Sequence, residues 1–176
     1  MLVEGNFAHI TDILRQEKFR PVHGILFDLG FSSLHLEESK RGFSFQKQEP
    51  LDMRYSTSNP LTAEKIINYW SSADLERILK EYGEEQFARE IAQALVEQRS
   101  KEPIVKTTQL VKIIQEAVPK WYHRKKVHSA TKTFQALRIA VNSELENIKQ
   151  ALPQAVEILE PKGRIAIISF HSLEDR

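Results

Sequence analysis

Two short runs of apolar residues constrain the fold of this chain more than any other feature of its sequence. The runs are Gly24–Asp28 and Arg164–Phe170, and the apolar residues within each run are continuous rather than alternating. Continuous runs of this length are typical of strands that are covered on both faces, as in parallel sheets. We therefore predict two parallel-sheet strands, and Leu2-Val3 is predicted to end a third.

Helices are predicted next to these strands. A helix carrying Ile10, Ile13 and Leu14 follows the first apolar residues, and another precedes the last strand. The second helix has apolar residues at helical spacing, namely Leu145, Ile148, Leu152, Val156 and Leu159. Pro161-Lys162-Gly163 is predicted to separate that helix from the strand. This alternation of strand and helix predicts an α/β architecture.

The stretch between Arg41 and Asn142 has helical periodicities and no convincing strand, so it is predicted to be an inserted helical subdomain. Ser71 and Asp74 form a capping box, and Gly83 is predicted to end the helix that follows. The apolar positions assign three helices: Leu75, Ile78, Leu79 and Tyr82 to the first, Phe87, Ile91 and Leu95 to the second, and Leu110, Ile113, Ile114 and Ala117 to the third. The third helix is expected to end near Pro119.

Composition excludes several classes of protein. The 25 Lys and Arg residues balance 24 Asp and Glu residues, so a uniformly basic histone-like tail is excluded. The absence of cysteine removes disulfide scaffolds, thiol nucleophiles and Cys-ligated metals, and it fits a reducing compartment. No apolar run has the roughly 18 to 20 residues needed to span a bilayer, and no signal-peptide pattern opens the chain. We predict a cytoplasmic protein with no membrane partner.

Polar side chains follow both predicted strands, where open α/β sheets place their ligands. Asp28 and Gly30 follow the first strand, and Ser169, His171 and Glu174 follow the second, with Asp175 next along the chain. A ligand-binding acid at position 28 is one interpretation, and a turn capped by Asp28 is the other. A Ser-His-Asp hydrolase is disfavoured because the sequence has no G-x-S-x-G elbow. A metal site at His171, Glu174 and Asp175 is also conceivable in chemical terms, but the spacing of these residues matches no specific metal-binding motif.

Lys120–His128 is the concentrated basic segment of the chain and contains two aromatic residues. Basic side chains contact phosphates and aromatic rings stack on unpaired bases, so single-stranded RNA is a reasonable partner. A solvated connection between helices explains the segment equally well. No Walker-type loop and no G-x-G-x-x-G motif is present to hold a nucleotide phosphate.

Seven collinear blocks of this sequence resemble one known family. They are GNF at 5–7, DLGFSS at 28–33, RGFSF at 41–45, PLDMR at 50–54, YGEEQFAREIA at 82–92, HSATKTFQALRIAVNSEL at 128–145 and SFHSLEDR at 169–176. Together they resemble the ribosomal RNA small subunit methyltransferase H family. The resemblance covers nearly the whole chain, and its longer blocks make chance matching negligible.

The resemblance implies an enzyme that uses S-adenosyl-L-methionine to methylate N4 of a decoding-centre cytidine in 16S rRNA of the small ribosomal subunit. The implied fold is a class I methyltransferase Rossmann-like sheet, incomplete here, with an inserted all-helical subdomain for substrate recognition. We assign 1–41 and 128–176 to the methyltransferase domain and 42–127 to the insertion. By resemblance, the family's glycine-rich cofactor segment lies upstream of Met1, and further strands lie beyond Arg176. The oligomeric state is left open.

By the same resemblance, Phe7, Asp28 and His35 match positions that contact S-adenosyl-L-methionine. His35 departs from the family pattern, because Leu34-His35 stands where the family has Pro-Gln. A neutral histidine can still donate one hydrogen bond. Asp28, Ser169 and His171 are the predicted catalytic residues, since the transfer needs acceptors that draw a proton from the amine. No metal is needed for that transfer.

The predicted contacts with RNA are Phe31, Asp52, Arg54, Lys125, Lys126, His128 and Arg138. Phe31 offers a stacking face. For Asp52 and Arg54, the default interpretation is an ordinary surface ion pair. Arg138 contacts the RNA backbone in one interpretation and forms an ion pair within its domain in the other. Ser129 replaces the proline of the family's usual His-Pro-Ala-Thr.

Two alternative functions remain. A truncated, non-catalytic remnant would hold rRNA through Lys120 to Lys132 without holding the cofactor. A metal-dependent hydrolase using His171, Glu174 and Asp175 would lose its activity to a chelator, whereas methyl transfer would survive chelation.

Overall fold

The computed structural model describes residues 1–175, which divide into two compact units. The sheet unit is Met1–Phe31 together with the chain from Ser143 onward, and the helical unit is Ser32–Asn142. The predicted domain division placed its boundaries at 41/42 and 127/128, and it stays a prediction. The helix that ends at Asn142 belongs to the helical unit because it buries Phe134 and Leu137 in the helical core.

The described residues of the sheet unit, 1–31 and 143–175, form two strands and two α-helices. In chain order it has a 3₁₀ helix at Phe7–His9, α1 at Ile10–Gln16, β1 at Val22–Asp28, α8 at Glu144–Ile158 and β2 at Leu159–Ile168. The strands pair in parallel, with Gly24 opposite Arg164 and Asp28 opposite Ile168. Both helices and both strands were predicted, and the α/β architecture is confirmed.

The predicted third strand is wrong. Leu2 and Val3 adopt no regular structure, and the side chains of both residues are exposed. A strand needs a neighbour to complete its backbone hydrogen bonds, and β1 pairs only with β2 among the described residues.

The predicted break at Pro161-Lys162-Gly163 is also wrong, since β2 begins at Leu159 and runs through it. The three residues lie at an irregularity in the register, where Val22 pairs with Leu159 but Gly24 pairs with Arg164. Lys162 has a positive φ of 70°. The turn signals of this tripeptide therefore mark a bulge inside the strand, where extra residues leave the ladder.

The prediction that both faces of the strands are covered holds for one face within the sheet unit. Phe27 and Leu29 pack against Ala151 and Ala155 of α8. The side chain of Leu26 points to the opposite face, because side chains alternate along a strand, and it is 64% exposed.

The helical unit contains six α-helices in its described residues. These are α2 at Ser33–Glu37, α3 at Ala63–Tyr69, α4 at Ser72–Glu81, α5 at Ala88–Lys101, α6 at Thr107–Ala117 and α7 at Thr131–Asn142, with a 3₁₀ helix at Lys120–Arg124. The predicted helices α4, α5 and α6 are confirmed, and their apolar positions are in the core. No helix in residues 1–175 is long and apolar enough to cross a membrane.

Both ends of α4 are explained by local chemistry, but in different ways. Ser71 caps the N-terminus, where its Oγ accepts a hydrogen bond from the backbone N–H of Asp74 at 3.1 Å. Gly83 directly follows the C-cap Tyr82, so the helix ends where it was predicted to end, and the positive φ at this end belongs to Glu84. A Cβ at position 83 would lie 2.7 Å from the carbonyl oxygens of both Leu79 and Lys132. Glycine at this position therefore permits the close approach of α7 to α4.

Candidate functional site

The carboxyl ends of β1 and β2 lie side by side in the sheet unit. Asp28 pairs with Ile168, and the backbone N–H of Leu29 donates a hydrogen bond to the Ile168 carbonyl at 3.1 Å. Asp28 and Ser169 are both exposed at this edge. The prediction that the two polar strand ends converge is confirmed.

The turn after β1 requires a glycine because of its backbone conformation. Gly30 has a φ of +83°, which L side chains rarely adopt. A Cβ there would lie 3.7 Å from the ring of Phe170, an ordinary contact distance. The loop after β1 and the loop after β2 are therefore neighbours at the same edge.

A compact turn follows β2. The backbone N–H of Phe170 donates to Glu174 Oε2 at 2.8 Å, and the N–H of Glu174 donates to the His171 carbonyl at 3.1 Å. His171 Nε2 lies 3.3 Å from Glu174 Oε1, and both nitrogens of the imidazole ring are buried. His171 therefore faces inward, whereas Ser169 faces solvent.

Glu144, the first residue of α8, joins His171 and Glu174 in one group. The ligand atoms of the three side chains all lie within 4.8 Å of one another. The sequence had suggested His171, Glu174 and Asp175 as metal ligands, but the exposed Asp175 is not a member of this group. Glu144 was missed because it is 27 positions away from His171 along the chain, and no local spacing links them.

Phe7 is positioned by the short helix at Phe7–His9, where Asn6 Oδ1 accepts a hydrogen bond from the N–H of Ala8 at 2.9 Å. The Phe7 ring lies 5.7 Å from the Phe27 ring in an edge-to-face arrangement. It lines a small apolar hollow with Leu29, Ile148 and Leu152. Phe7 thus offers a half-buried aromatic face within the sheet unit.

His35 lies on α2 in the helical unit, and its environment favours the neutral ring. The Nδ1 atom accepts a hydrogen bond from the backbone N–H of Ser32 at 3.2 Å, and the ring contacts Phe43 and Tyr55 edge to face. Partial burial lowers the pKa of His35, and the positive charge of Arg41 lowers it further. The imidazole is therefore neutral near pH 7 and keeps its proton on Nε2, as a hydrogen-bond donor.

Asp52 and Arg54 bind each other and the loop that carries them. Arg54 Nε donates to Asp52 Oδ1 and Arg54 Nη2 donates to Asp52 Oδ2, both at 2.8 Å. Arg54 Nη1 also donates to the carbonyl oxygens of Thr57 and Asn59. Burial alone would raise the pKa of Asp52, but hydrogen bonds from Arg54 and the charges of Arg54 and Arg41 outweigh it, so that pKa is lowered. The pair stabilises its own loop, and its predicted contact with RNA remains a prediction.

The basic segment is organised around two aromatic rings. Lys125 Nζ lies 5.3 Å from the centroid of the Trp121 ring and 4.6 Å from that of Tyr122. Trp121 is half exposed, and Arg124, Lys125 and Lys126 are exposed. Exposed cations beside an accessible indole ring are the combination that binds single-stranded nucleic acid.

Tyr122 anchors this segment to the core of the helical unit, a role that the sequence did not indicate. Its hydroxyl donates to Glu85 Oε1 at 2.8 Å, and that oxygen also accepts from the N–H of Phe87 at 3.0 Å. Burial raises the pKa of Tyr122 well above its usual range, and the hydrogen bond to Glu85 raises it further. The tyrosine therefore stays protonated and keeps the buried carboxylate paired.

The remaining predicted contacts with RNA lie in different places. Phe31 is half-buried at the end of the sheet unit's first segment, and Arg138 is half-buried on α7. His128 stacks on Phe45 with ring centroids 4.6 Å apart, and its Nδ1 accepts a hydrogen bond from the N–H of Ala130 at 3.1 Å. His128 therefore has a structural role in the turn before α7, and its contact with RNA remains a prediction.

The parallel strands and the helix packed on them define this molecule as an α/β protein, a class in which ligands generally bind at the edge where the strands end. The family model described as the MraW methylase family matches residues 1–176. The chain belongs to the MraW methylase family. This agrees with the family resemblance that the sequence motifs carried.

Individual relatives agree with this assignment. The chain is 49% identical to the ribosomal RNA small subunit methyltransferase H of Brevibacillus brevis over 99% of its own length and 56% of the relative's. It is 48% identical to the protein of the same name from Syntrophotalea carbinolica over 100% and 56% of the two lengths. For Persephonella marina the identity is 48%, with 99% and 59% covered. The chain thus spans about half the length of the curated relatives it matches.

Proposed function

We propose that this protein is an S-adenosyl-L-methionine-dependent rRNA methyltransferase that modifies N4 of a decoding-centre cytidine in 16S rRNA. The observation that carries the proposal is the identity of 48 to 49% to proteins named ribosomal RNA small subunit methyltransferase H, over essentially the whole chain. Such an enzyme acts on the small ribosomal subunit, and so in the cytoplasm of a bacterial cell.

The proposed fold of the intact protein is a class I methyltransferase Rossmann-like domain with an inserted helical domain that recognises the substrate. The parallel pairing of β1 with β2 supports the first part. The helical unit at Ser32–Asn142 supports the second, because it interrupts the sheet unit along the chain and carries the basic segment.

The residues of the sheet unit fit S-adenosyl-L-methionine in chemical terms. Asp28 places a carboxylate at the edge where such folds bind their ligands, and Phe7 offers an aromatic face. The left-handed turn at Gly30 lets the backbone pass close to a ligand. When bound, the cofactor supplies an electrophilic methyl group on a sulfonium.

The protein must then make a weak nucleophile react. The exocyclic amine of cytosine shares its lone pair with the ring, so its proton has to leave as the N–C bond forms. The base must also be removed from its stack and held in line with the methyl group. Asp28 and Ser169 are exposed at the sheet edge and are proposed to accept the amine's hydrogen bonds, with Phe31 as the stacking surface. The buried nitrogens of His171 make that ring a weaker candidate for moving a proton.

The test is methyl transfer from labelled S-adenosyl-L-methionine to small subunits that lack the modification, with the product nucleoside identified by mass spectrometry. We expect N4-methylcytidine from the intact protein and a loss of about 100-fold or more in kcat/KM for Asp28→Asn. The matched control is Asp12→Asn, because Asp12 is an exposed aspartate of the same unit. Methylation of another atom would contradict the proposed function. Full activity of Asp28→Asn would contradict the proposed role of Asp28.

A non-catalytic RNA-binding remnant is the second candidate, and the basic segment favours it. Such a protein would bind rRNA through Lys125, Lys126 and Trp121 and would transfer no methyl group. Both candidates predict that salt weakens the binding of rRNA. They also predict that replacing Lys126 by glutamine reduces by one the number of counterions released on binding. The methylation assay separates them, since only the enzyme yields a methylated nucleoside.

A further inference from the structure

One turn and one helix start bring three metal-ligating side chains together in the sheet unit. Glu144 opens α8, while His171 and Glu174 belong to the turn after β2. Their ligand atoms lie within 4.8 Å of one another. The three residues are supplied by segments on either side of β2, so their meeting is a product of the fold.

The group is buried, which is unusual for two carboxylates beside an imidazole. The side chain of Glu174 is 1% exposed and that of His171 is 13% exposed, and Glu144 is 6% exposed. Both ring nitrogens of His171 are shielded from solvent and make no hydrogen bond within the described residues. A buried polar atom without a partner is costly, so a native site of this kind needs a further group to satisfy it.

One separation within the group matches that of two ligands on a shared cation. His171 Nε2 and Glu174 Oε1 are 3.3 Å apart, but their geometry does not make a hydrogen bond. Two ligands at roughly 2.0–2.2 Å from a shared metal, at tetrahedral or octahedral angles, lie about 2.8–3.6 Å apart. The separation of His171 from Glu174 falls within that range, and the ligand atom of Glu144 lies within 4.8 Å of both.

We propose that Glu144, His171 and Glu174 bind one divalent transition-metal cation of the Zn²⁺, Mn²⁺, Fe²⁺ or Co²⁺ type. One imidazole and two carboxylates suit these ions, whereas Ca²⁺ and Mg²⁺ prefer oxygen ligands alone. Three protein ligands leave a position for water. The cation links the start of α8 to the turn after β2 and so fixes the loop that carries Ser169.

The cation itself takes no part in the proposed methyl transfer, because its function is to hold in place the loop that carries Ser169. His171 is a ligand in this site, which removes that ring from proton transfer. The measurement that tests it is therefore metal binding rather than enzymatic activity.

The experiment uses the intact, untagged protein after removal of metal with a chelator and exchange into chelator-free buffer. Calorimetric titration with Zn²⁺ should give one site per chain, and Co²⁺ should give the visible absorption of a protein-bound ion. His171→Gln and Glu174→Gln should each weaken Zn²⁺ binding at least 10-fold. The control His23→Gln replaces an exposed histidine of the same unit and should leave the affinity unchanged.

Thermal unfolding of each variant in chelator, followed by circular dichroism, verifies that loss of binding is not loss of folding. The wild type should also gain thermal stability when Zn²⁺ is added, and the two ligand variants should not. If the folded wild type shows no saturable binding, or if both substitutions leave the affinity unchanged, the proposal is wrong.

Discussion

The two units of this molecule bury their apolar residues to very different extents. In the helical unit, Leu51, Ile66, Leu95 and Leu110 are fully buried, and residues from five α-helices contribute to one core. In the sheet unit, the corresponding cluster contains Phe27, Leu29 and two alanines, and the opposite face of β1 is open at Leu26.

The difference shows what each sequence pattern can and cannot indicate. An amphipathic helix supplies one apolar stripe, and its neighbours in the helical unit bury it completely. A continuous apolar strand needs a covering layer on each face, and the helices of the sheet unit supply one. The stability of the described chain is therefore concentrated in the helical unit.

The largest expected effect comes from a pair of identical substitutions, one in each unit. Leu95→Ala removes a fully buried side chain of α5 and should lower the free energy of unfolding by about 2–5 kcal/mol. Leu26→Ala removes a side chain that is 64% exposed and should change it by no more than about 0.5 kcal/mol. The comparison keeps the chemistry of the substitution constant and varies only the burial.

Separate probes are available for the two units. Trp70 and Trp121, the two tryptophans of the chain, both belong to the helical unit, so their fluorescence during urea denaturation reports that unit. Amide hydrogen exchange of β1 reports the sheet unit. If Leu26→Ala proved as costly as Leu95→Ala, the outer face of β1 would have to be covered in the intact protein.

An intermediate effect is expected at the buried polar pair of the helical unit. Tyr122→Phe removes the hydroxyl that donates to Glu85 and leaves a buried carboxylate with one fewer partner. We expect a loss of about 1–3 kcal/mol in the free energy of unfolding. The matched control is Tyr69→Phe, whose side chain is 81% exposed and whose substitution should be neutral. If urea denaturation gave the same free energy of unfolding for Tyr122→Phe and Tyr69→Phe, the hydrogen bond from Tyr122 to Glu85 would contribute nothing to stability.

The smallest effect should be a gain in stability, and it tests whether the two units follow one rule. The Oγ1 atoms of Thr133 in the helical unit and Thr11 in the sheet unit are buried and have no hydrogen-bond partner in the part of the chain that the structure describes. Replacing either threonine by valine keeps the shape of the side chain and removes an unpaired hydroxyl. We expect each substitution to raise the free energy of unfolding by about 0.5–1 kcal/mol. Destabilisation at either position, measured by thermal unfolding, would imply an ordered water bound to that hydroxyl.

The sequence predicted the helices well because their signals are local. The spacing of Leu110, Ile113 and Ile114 and the cap at Ser71 each describe a structure formed within a few residues. It was less successful where a distant segment decides the outcome. Pro161-Lys162-Gly163 carries turn signals, but pairing with β1 keeps it inside a strand.

The candidate site shows the same contrast between features with a local signal and features that depend on distant segments. The convergence of Asp28 and Ser169 was predictable, because the carboxyl ends of parallel strands meet at one edge of a sheet. The proximity of Glu144 to His171 and the hydrogen bond from Tyr122 to Glu85 involve residues that are far apart in sequence. No periodicity encodes such pairs, and only the folded chain brings them together.

The long separation of the two strands also affects the order of events during synthesis. Gly24 pairs with Arg164, so β1 leaves the ribosome 140 residues before its partner. At about 5–20 residues per second, the partner follows roughly 7–28 s later. Helical proteins with local contacts fold within microseconds to milliseconds. The helical unit therefore has time to fold on the nascent chain before β2, the partner of β1, is translated.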